Sequence, residues 1–140
     1  MAAETLRICR THLDQIVAHA RSEHPFEACG LLGGRDGQVE SIAVVPNASR
    51  SPQSSFEMER QPMVDCIIQF QRSGQEVVAI YHSHPQNEAI PSETDIAQAT
   101  WPDAIYLIVG FVDPDQPDIR AWVIRQGQVQ AADLIVDDML

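Results

Sequence analysis

EVVAIYHSHPQNEAIPSETD, residues 76–95, passes from a dense apolar run to two histidines, a proline and a polar stretch that ends in an aspartate. Glu76 to Tyr81 has the content of a buried strand, and Pro85 lies just beyond it. His82, Ser83 and His84 are therefore expected at the strand's end, where a side-chain period of two puts both imidazoles on one side. Ser92 fits a helix cap, and Ile96 to Ala99 read as a short helix ended by Trp101-Pro102. Ala104 to Phe111 then returns to strand content. Strand, helix and strand in succession predict a mixed α/β (α+β) fold with the histidine pair at the mouth of the return loop.

The flanking segments extend this pattern. Leu6 and Ile8 lie in a short opening strand, and Thr11 can cap a helix with Leu13, Ile16, Val17 and Ala20 on one side. His24-Pro25 should end that helix. Glu27 to Leu32, then Gly33-Gly34 and Asp36-Gly37, then Val39 to Val45 suggest a hairpin with a glycine-rich turn. NASRSPQSS, residues 47–55, reads as a loop. Pro62 opens a helical pattern through Met63, Ile67 and Phe70 that stops at Ser73-Gly74. Ile119 to Arg125 and Val129 to Val136 are further strands, set off by the loop VDPDQPD (112–118) and the turn Gln126-Gly127. With no repeat or low-complexity tract, residues 1–140 are expected to form one domain.

Composition narrows the function classes. Nine Lys+Arg against 20 Asp+Glu give a net charge of −11, a field that repels phosphate backbones, so nucleic acid is not expected as a partner. Anionic membrane surfaces fit no better, and no apolar run approaches the roughly 20 residues a spanning helix needs. Cys9, Cys29 and Cys66 are odd in number and widely spaced, which reads as free thiols in a reducing compartment. The opening MAAETLRICR lacks an apolar leader core, so a cytoplasmic location is expected.

Two histidines on one side of a strand can share an ion, or can be an ordinary hydrogen-bonded pair. Asp95 is the candidate third donor, carried back over the strand end by the return loop. It has a competing role, because Ser92-Glu93-Thr94-Asp95 fits the capping box S-x-x-[DE]. Two imidazole nitrogens and one carboxylate oxygen would hold zinc at about 2.0 to 2.2 Å and leave a fourth place for water, whose pKa zinc lowers toward about 7. A closed structural site would want another Cys or His, and none follows His84. Glu27, heading the apolar segment Ala28 to Leu32, is the candidate base for that water, with an exposed strand-end glutamate as the alternative. Ser92 could donate to the oxyanion of a tetrahedral intermediate instead of, or besides, capping the helix. His12 and His19 share one face of the first helix with no visible acidic partner and read as ordinary helix residues. Cys29 lies two residues from Glu27 and reads as a buried thiol.

Glu27, then His82-Ser83-His84-Pro85, six residues, Ser92, two residues and Asp95 resembles the JAMM (MPN+) metalloprotease signature at every position. The resemblance extends through HPFEACGLLGG, NASRSPQSSFEM and PSETDIAQATWPDAIYLIVG. It implies a cytidine-deaminase-like fold, a curved and mostly antiparallel sheet flanked by helices. It also implies that His82, His84 and Asp95 bind catalytic zinc, that Glu27 is general base and acid, and that Ser92 helps hold the tetrahedral intermediate. The substrates implied are amide bonds after the C-terminal Gly-Gly of ubiquitin-like proteins, with the tail laid along an edge strand. The chain lacks room for the long insertion of the eukaryotic members and is similar to short prokaryotic ones. Its HPFEACG stretch and its loop resemble those acting on a β-grasp sulfur carrier of the ThiS/MoaD type, where cysteine or another C-terminal extension is released. Two other readings are a non-catalytic MPN scaffold that binds partners and a hydrolase built on Cys29.

Overall fold

β1 (Thr5–Cys9) runs into α1 (Arg10–Glu23) without an intervening residue in the computed structural model, which describes residues 4–138. Met1–Ala3, part of the opening stretch searched for a leader, lie outside the described residues. Because strand passes directly into helix, Cys9 occupies the N-cap and makes no side-chain cap bond. The cap expected at Thr11 therefore falls inside the first turn. Leu13, Ile16 and Ala20 are the buried side of α1, as their spacing predicts, and the helix ends before His24-Pro25.

β2 (Cys29–Arg35) and β3 (Gln38–Val45) form the expected hairpin, but only Asp36 and Gly37 make its turn, both with positive φ. Gly33 and Gly34, expected in that turn, belong to β2, where the register shifts against both neighbouring strands. The reason is space: a Cβ on Gly34 would sit 1.8 Å from the Gln38 carbonyl oxygen. α2 (Arg60–Arg72) begins two residues before Pro62, which then occupies the first turn, where its missing N–H has no intrahelical partner to lose.

β4 (Glu76–His84) has His82, Ser83 and His84 as its last three residues, at the strand's end as expected. α3 (Glu93–Gln98) and a turn return the chain to β5 (Ile105–Gly110), parallel to β4, and β6 (Asp118–Arg125) and β7 (Gln128–Asp137) follow as antiparallel neighbours. The sheet order β1-β3-β2-β4-β5-β6-β7 closes into a barrel, since β1 pairs in parallel with β7 and touches β3 at Arg7 and Gln38. The sheet is thus mostly antiparallel and curved, as expected, and the curvature goes as far as closure.

Alternation along β4 divides the core. Ala79 and Tyr81 join Leu6, Ile8, Leu32, Leu107 and the buried side of α1 in one apolar cluster. Ile80 joins Leu31, Val45, Phe70 and Tyr106 in a second, which Met63 and Ile67 of α2 cover. His82 and His84 continue the Ile80 side at the strand's C-terminal end. No helix among the described residues is long and apolar enough to cross a membrane.

Candidate metal centre

The histidines are fully or nearly enclosed, His82 at 0% and His84 at 5% exposure, and Asp95 is buried beside them. The imidazole Nε2 atoms lie 3.2 Å apart, and Asp95 Oδ2 is 3.0 Å from each. The parallel crossover accounts for this: α3 starts directly over the end of β4, so its first turn faces the two rings. Capping and site roles, which compete for Asp95 on sequence grounds, coincide in one carboxylate. Asp95 Oδ2 accepts the Ser92 N–H at 3.0 Å while facing both rings, and Ser92 Oγ accepts the Asp95 N–H at 3.0 Å. The box is complete and leaves the hydroxyl proton of Ser92 free to donate.

His84 Nδ1 lies 2.7 Å from the Glu88 carbonyl oxygen, which can only accept, so Nδ1 carries the hydrogen. Neutral His84 then turns the lone pair of Nε2 toward a carboxylate oxygen, acceptor against acceptor. Either a proton on His84 or a cation between them relieves that contact, and two imidazole nitrogens with one carboxylate oxygen form a donor set for a divalent metal ion. Burial opposes the charge on Asp95, yet the hydrogen bonds from His82 and His84 hold its carboxyl well below the usual carboxylate range. Burial pulls His82 below the ordinary histidine value. The same burial acts on His84, where the contacts with Asp95 and Glu88 outweigh it and raise the ring.

Glu27 is 5% exposed rather than a solvated strand end, and its Oε1 has no hydrogen-bond partner. Burial, aided by the charge of Asp95 and opposed by that of His84, pushes its carboxyl up to about 8. A buried, unpartnered carboxylate of this kind is costly unless it faces something it serves. Its backbone is fixed on both sides: the Glu27 N–H donates to the Pro52 carbonyl at 2.7 Å, and Asn47 Nδ2 donates to the Glu27 carbonyl at 3.0 Å.

Several contributors were not among the candidate site residues. Ser83, facing away from the two histidines, accepts the Ala28 N–H on Oγ at 2.8 Å and so ties β4 to the residue after Glu27. Period-two alternation would have flagged it as the opposite face of the same strand end. Asn47 also accepts the N–H groups of Ser49 and Glu57, shaping the loop that stacks Phe56 on His82, centroids 4.4 Å apart. No local pattern connects Phe56 to His82. His19 is more than an ordinary helix residue: Nδ1 lies 2.7 Å from the buried Tyr81 hydroxyl, and Glu23 is its acidic partner at 3.6 Å. Cys29 is the buried thiol expected, its Sγ donating to the Val45 carbonyl, with burial and then Glu27 pushing it up to about 12.

Two clefts are walled in part by residues of this region. One of about 500 Å³ is lined by Phe56, Met58, Met63, His82, Asp95 and Trp101. The other, of about 370 Å³, has Glu27 in its wall with Phe26, Val44, Asn47 and Pro52.

Residues 10–125 match the family described as prokaryotic homologs of the JAB domain. The chain is similar to the CysO-cysteine peptidase of Mycobacterium tuberculosis, 38% identical over 119 residues that cover 84% of this chain and 81% of that one. It is 31% identical to the desampylase of Haloferax volcanii over 115 residues, 77% of this chain and 82% of the relative. A protein of Thermus thermophilus named as a probable TtuB-protein conjugate cleaving protease is 33% identical over 123 residues, 88% and 78% of the two chains. Among solved structures, a protein from Desulfitobacterium hafniense superposes with a TM-score of 0.87 at 31% identity, covering 96% of this chain and 94% of the other. A JAB1/MPN domain protein from Archaeoglobus fulgidus shares the fold, with a TM-score of 0.62 at 24% identity and coverage of 93% and 99%.

Proposed function

The chain belongs to the prokaryotic branch of the JAB domain family, and from that premise we propose that it is a zinc-dependent peptidase. Its substrate is the amide bond after the C-terminal Gly-Gly of a ubiquitin-like or β-grasp sulfur-carrier protein, from which it releases cysteine or another C-terminal extension. The relatives named for CysO-cysteine, for TtuB conjugates and for desampylation support this substrate class. The observation that carries the reading is the convergence of His82 Nε2, His84 Nε2 and Asp95 Oδ2 beside a buried carboxylate with an unpartnered oxygen.

His82, His84 and Asp95 would hold the ion, which when bound supplies a Lewis acid for the scissile carbonyl and a route to hydroxide near neutral pH. Glu27 takes the proton from the attacking water and delivers it to the amide nitrogen as the C–N bond breaks, leaving a carboxylate and a free amine. Burial raises its affinity for a proton, which suits a group that takes one and then gives it back. Ser92, whose hydroxyl proton the capping box does not use, donates to the oxygen that gains charge as the carbonyl becomes tetrahedral. One cleft is walled in part by His82 and Asp95 and the other by Glu27, space that the chain around the bond to be cut would use.

The test is to incubate the protein with β-grasp carriers bearing different extensions after Gly-Gly and to weigh the products. Cleavage that a chelator abolishes, zinc restores and thiol alkylation leaves untouched is the expected result. Absence of stoichiometric zinc in the purified protein, with no cleavage of any carrier, would replace the peptidase by a partner-binding scaffold.

A further inference from the structure

His82 and His84 are held in different ways, and the difference leads to a residue outside the donor set. His82 Nδ1 is buried without a hydrogen-bond partner, and its ring rests on Phe56. His84 Nδ1 instead donates to the Glu88 carbonyl at 2.7 Å. The Glu88 side chain is exposed, so nothing beyond Cα aims that carbonyl; the backbone on either side must. One residue on, it is anchored: Trp122 Nε1 donates to the Ala89 carbonyl at 2.8 Å, and Ala89 is 0% exposed. Underneath lies Gly110, in register with His84 across the β4 and β5 pair. A Cβ at Gly110 would meet the Ala89 nitrogen at 2.6 Å and the Asn87 carbonyl oxygen at 2.7 Å, so the segment 87–89 sits directly on the strand.

We propose that Trp122 is a positioning residue for the ion site: its indole N–H fixes the Ala89 carbonyl, which seats the preceding Glu88 carbonyl against His84 Nδ1 and turns the Nε2 lone pair of His84 toward the ion. The inference rests on the metal-site reading above. A neutral imidazole carries one N–H, and the acceptor at one nitrogen decides which nitrogen keeps the lone pair. With the indole bond gone, the segment is freed from its anchor, and His84 gains the tautomer that places N–H at Nε2. That N–H would donate to Asp95 Oδ2, so His84 would then oppose the ion instead of holding it. No comparable anchor acts on His82, where stacking on Phe56 sets the ring plane without choosing a tautomer.

Trp122→Phe removes the donor and keeps an aromatic ring on β6. Two measurements on it decide the matter: zinc affinity by competition with a chromophoric chelator, and the ring ¹⁵N spectrum of His84 in zinc-free protein. The expected result is a loss of affinity of about 10- to 100-fold, the range for outer partners of metal-bound histidines. The spectrum should change with it, from a single Nδ1–H tautomer to a mixture. Affinity within about twofold of the parent, far below that range, together with an unchanged tautomer would overturn the role. If the variant shows no cooperative thermal transition, Gly110→Ala, which lifts the same segment, is judged by the same pair of readings. A parent that fails to bind one zinc ion would sink the metal reading itself, an outcome distinct from a parent that binds zinc and a variant that binds it equally well.

Discussion

Glu27 is where residue chemistry is most demanding, because a carboxylate buried to 5% exposure with one oxygen unpartnered is unfavourable on its own. It is retained next to His84 and Asp95, the groups that move its titration most after burial itself. Glu27→Gln keeps the shape and removes the base, so turnover should fall by about 10²–10⁴-fold, the usual worth of a positioned acid or base. Zinc content measured on the same preparation should be unchanged, since Glu27 is not among the three converging donors. A variant with wild-type turnover would take the base away from this position. Ser92 is a different case because two jobs share one side chain. Ser92→Ala should slow the reaction by about 10²–10³-fold if the hydroxyl meets the oxyanion, and should also lower the thermal midpoint through loss of the cap, worth ~1 kcal/mol. Ser92→Thr separates the two: it keeps a capping oxygen, so its midpoint should stay near the parent's whatever becomes of the rate.

At the scale of elements, the centre is made by β4 ending where α3 begins, and by the stretch before β2 being fastened to both sides. Ser83 is the fastening on the strand, its Oγ accepting the Ala28 N–H while its own N–H donates to the Ala28 carbonyl at 3.1 Å. Ser83→Ala would leave a buried backbone N–H without a partner, at a cost of about 1–3 kcal/mol. Chemical denaturation should read that as a shifted midpoint with unchanged slope, and activity should fall as Glu27 loses its fixed distance from the histidines. A midpoint equal to the parent's would show that water replaces the bond. The elements themselves were largely legible in the sequence, because apolar alternation and punctuation by Gly and Pro are local signals. So was the grouping of His82, His84 and Asp95, since their chemical types and spacing are unusual for a chain built only to pack. What could not be read is nonlocal. Gly33-Gly34 looks like a turn until Gln38 and Phe70 are seen filling the space of its side chains. Asn47, Phe56 and Trp122 act across the fold from residues far from them in sequence. Nor does any local pattern foretell that β1 would meet β7 and close the sheet.

For the molecule as a whole, closure has an electrostatic consequence at high pH. The barrel encloses Cys29 at 0% exposure, opposite His82 in the β2 and β4 pair, and Tyr81 at 0% beside it. Burial first, then Glu27 and Glu23, push the Cys29 thiol up to about 12 from an ordinary value of 9.0. Burial likewise raises the Tyr81 hydroxyl, with Cys29 the next cause. A raised acid means that the folded chain favours the neutral form and the unfolded chain releases the proton first. The stability linked to Cys29 is therefore fully present below pH 9.0 and is lost as pH rises toward about 12. Its size is on the order of a few kcal/mol, since each tenfold difference in proton affinity between folded and unfolded chain is worth about 1.4 kcal/mol. A net charge of −11 adds repulsion that grows in the same direction as further groups lose protons. The denaturant midpoint of zinc-free protein should accordingly fall steeply above about pH 9, as a second decline beyond the one that Glu27 contributes up to about pH 8. Cys29→Ala should begin lower, through the lost packing of a buried sulfur, and descend with a shallower slope across the same interval. Equal slopes in the two proteins would mean that Cys29 titrates in the folded barrel as freely as in the unfolded chain. The neutral thiol has a second signature at pH 8: alkylation of native protein should leave Cys29 unmodified and the peptidase unaffected, the behaviour of a packing residue and not of a nucleophile.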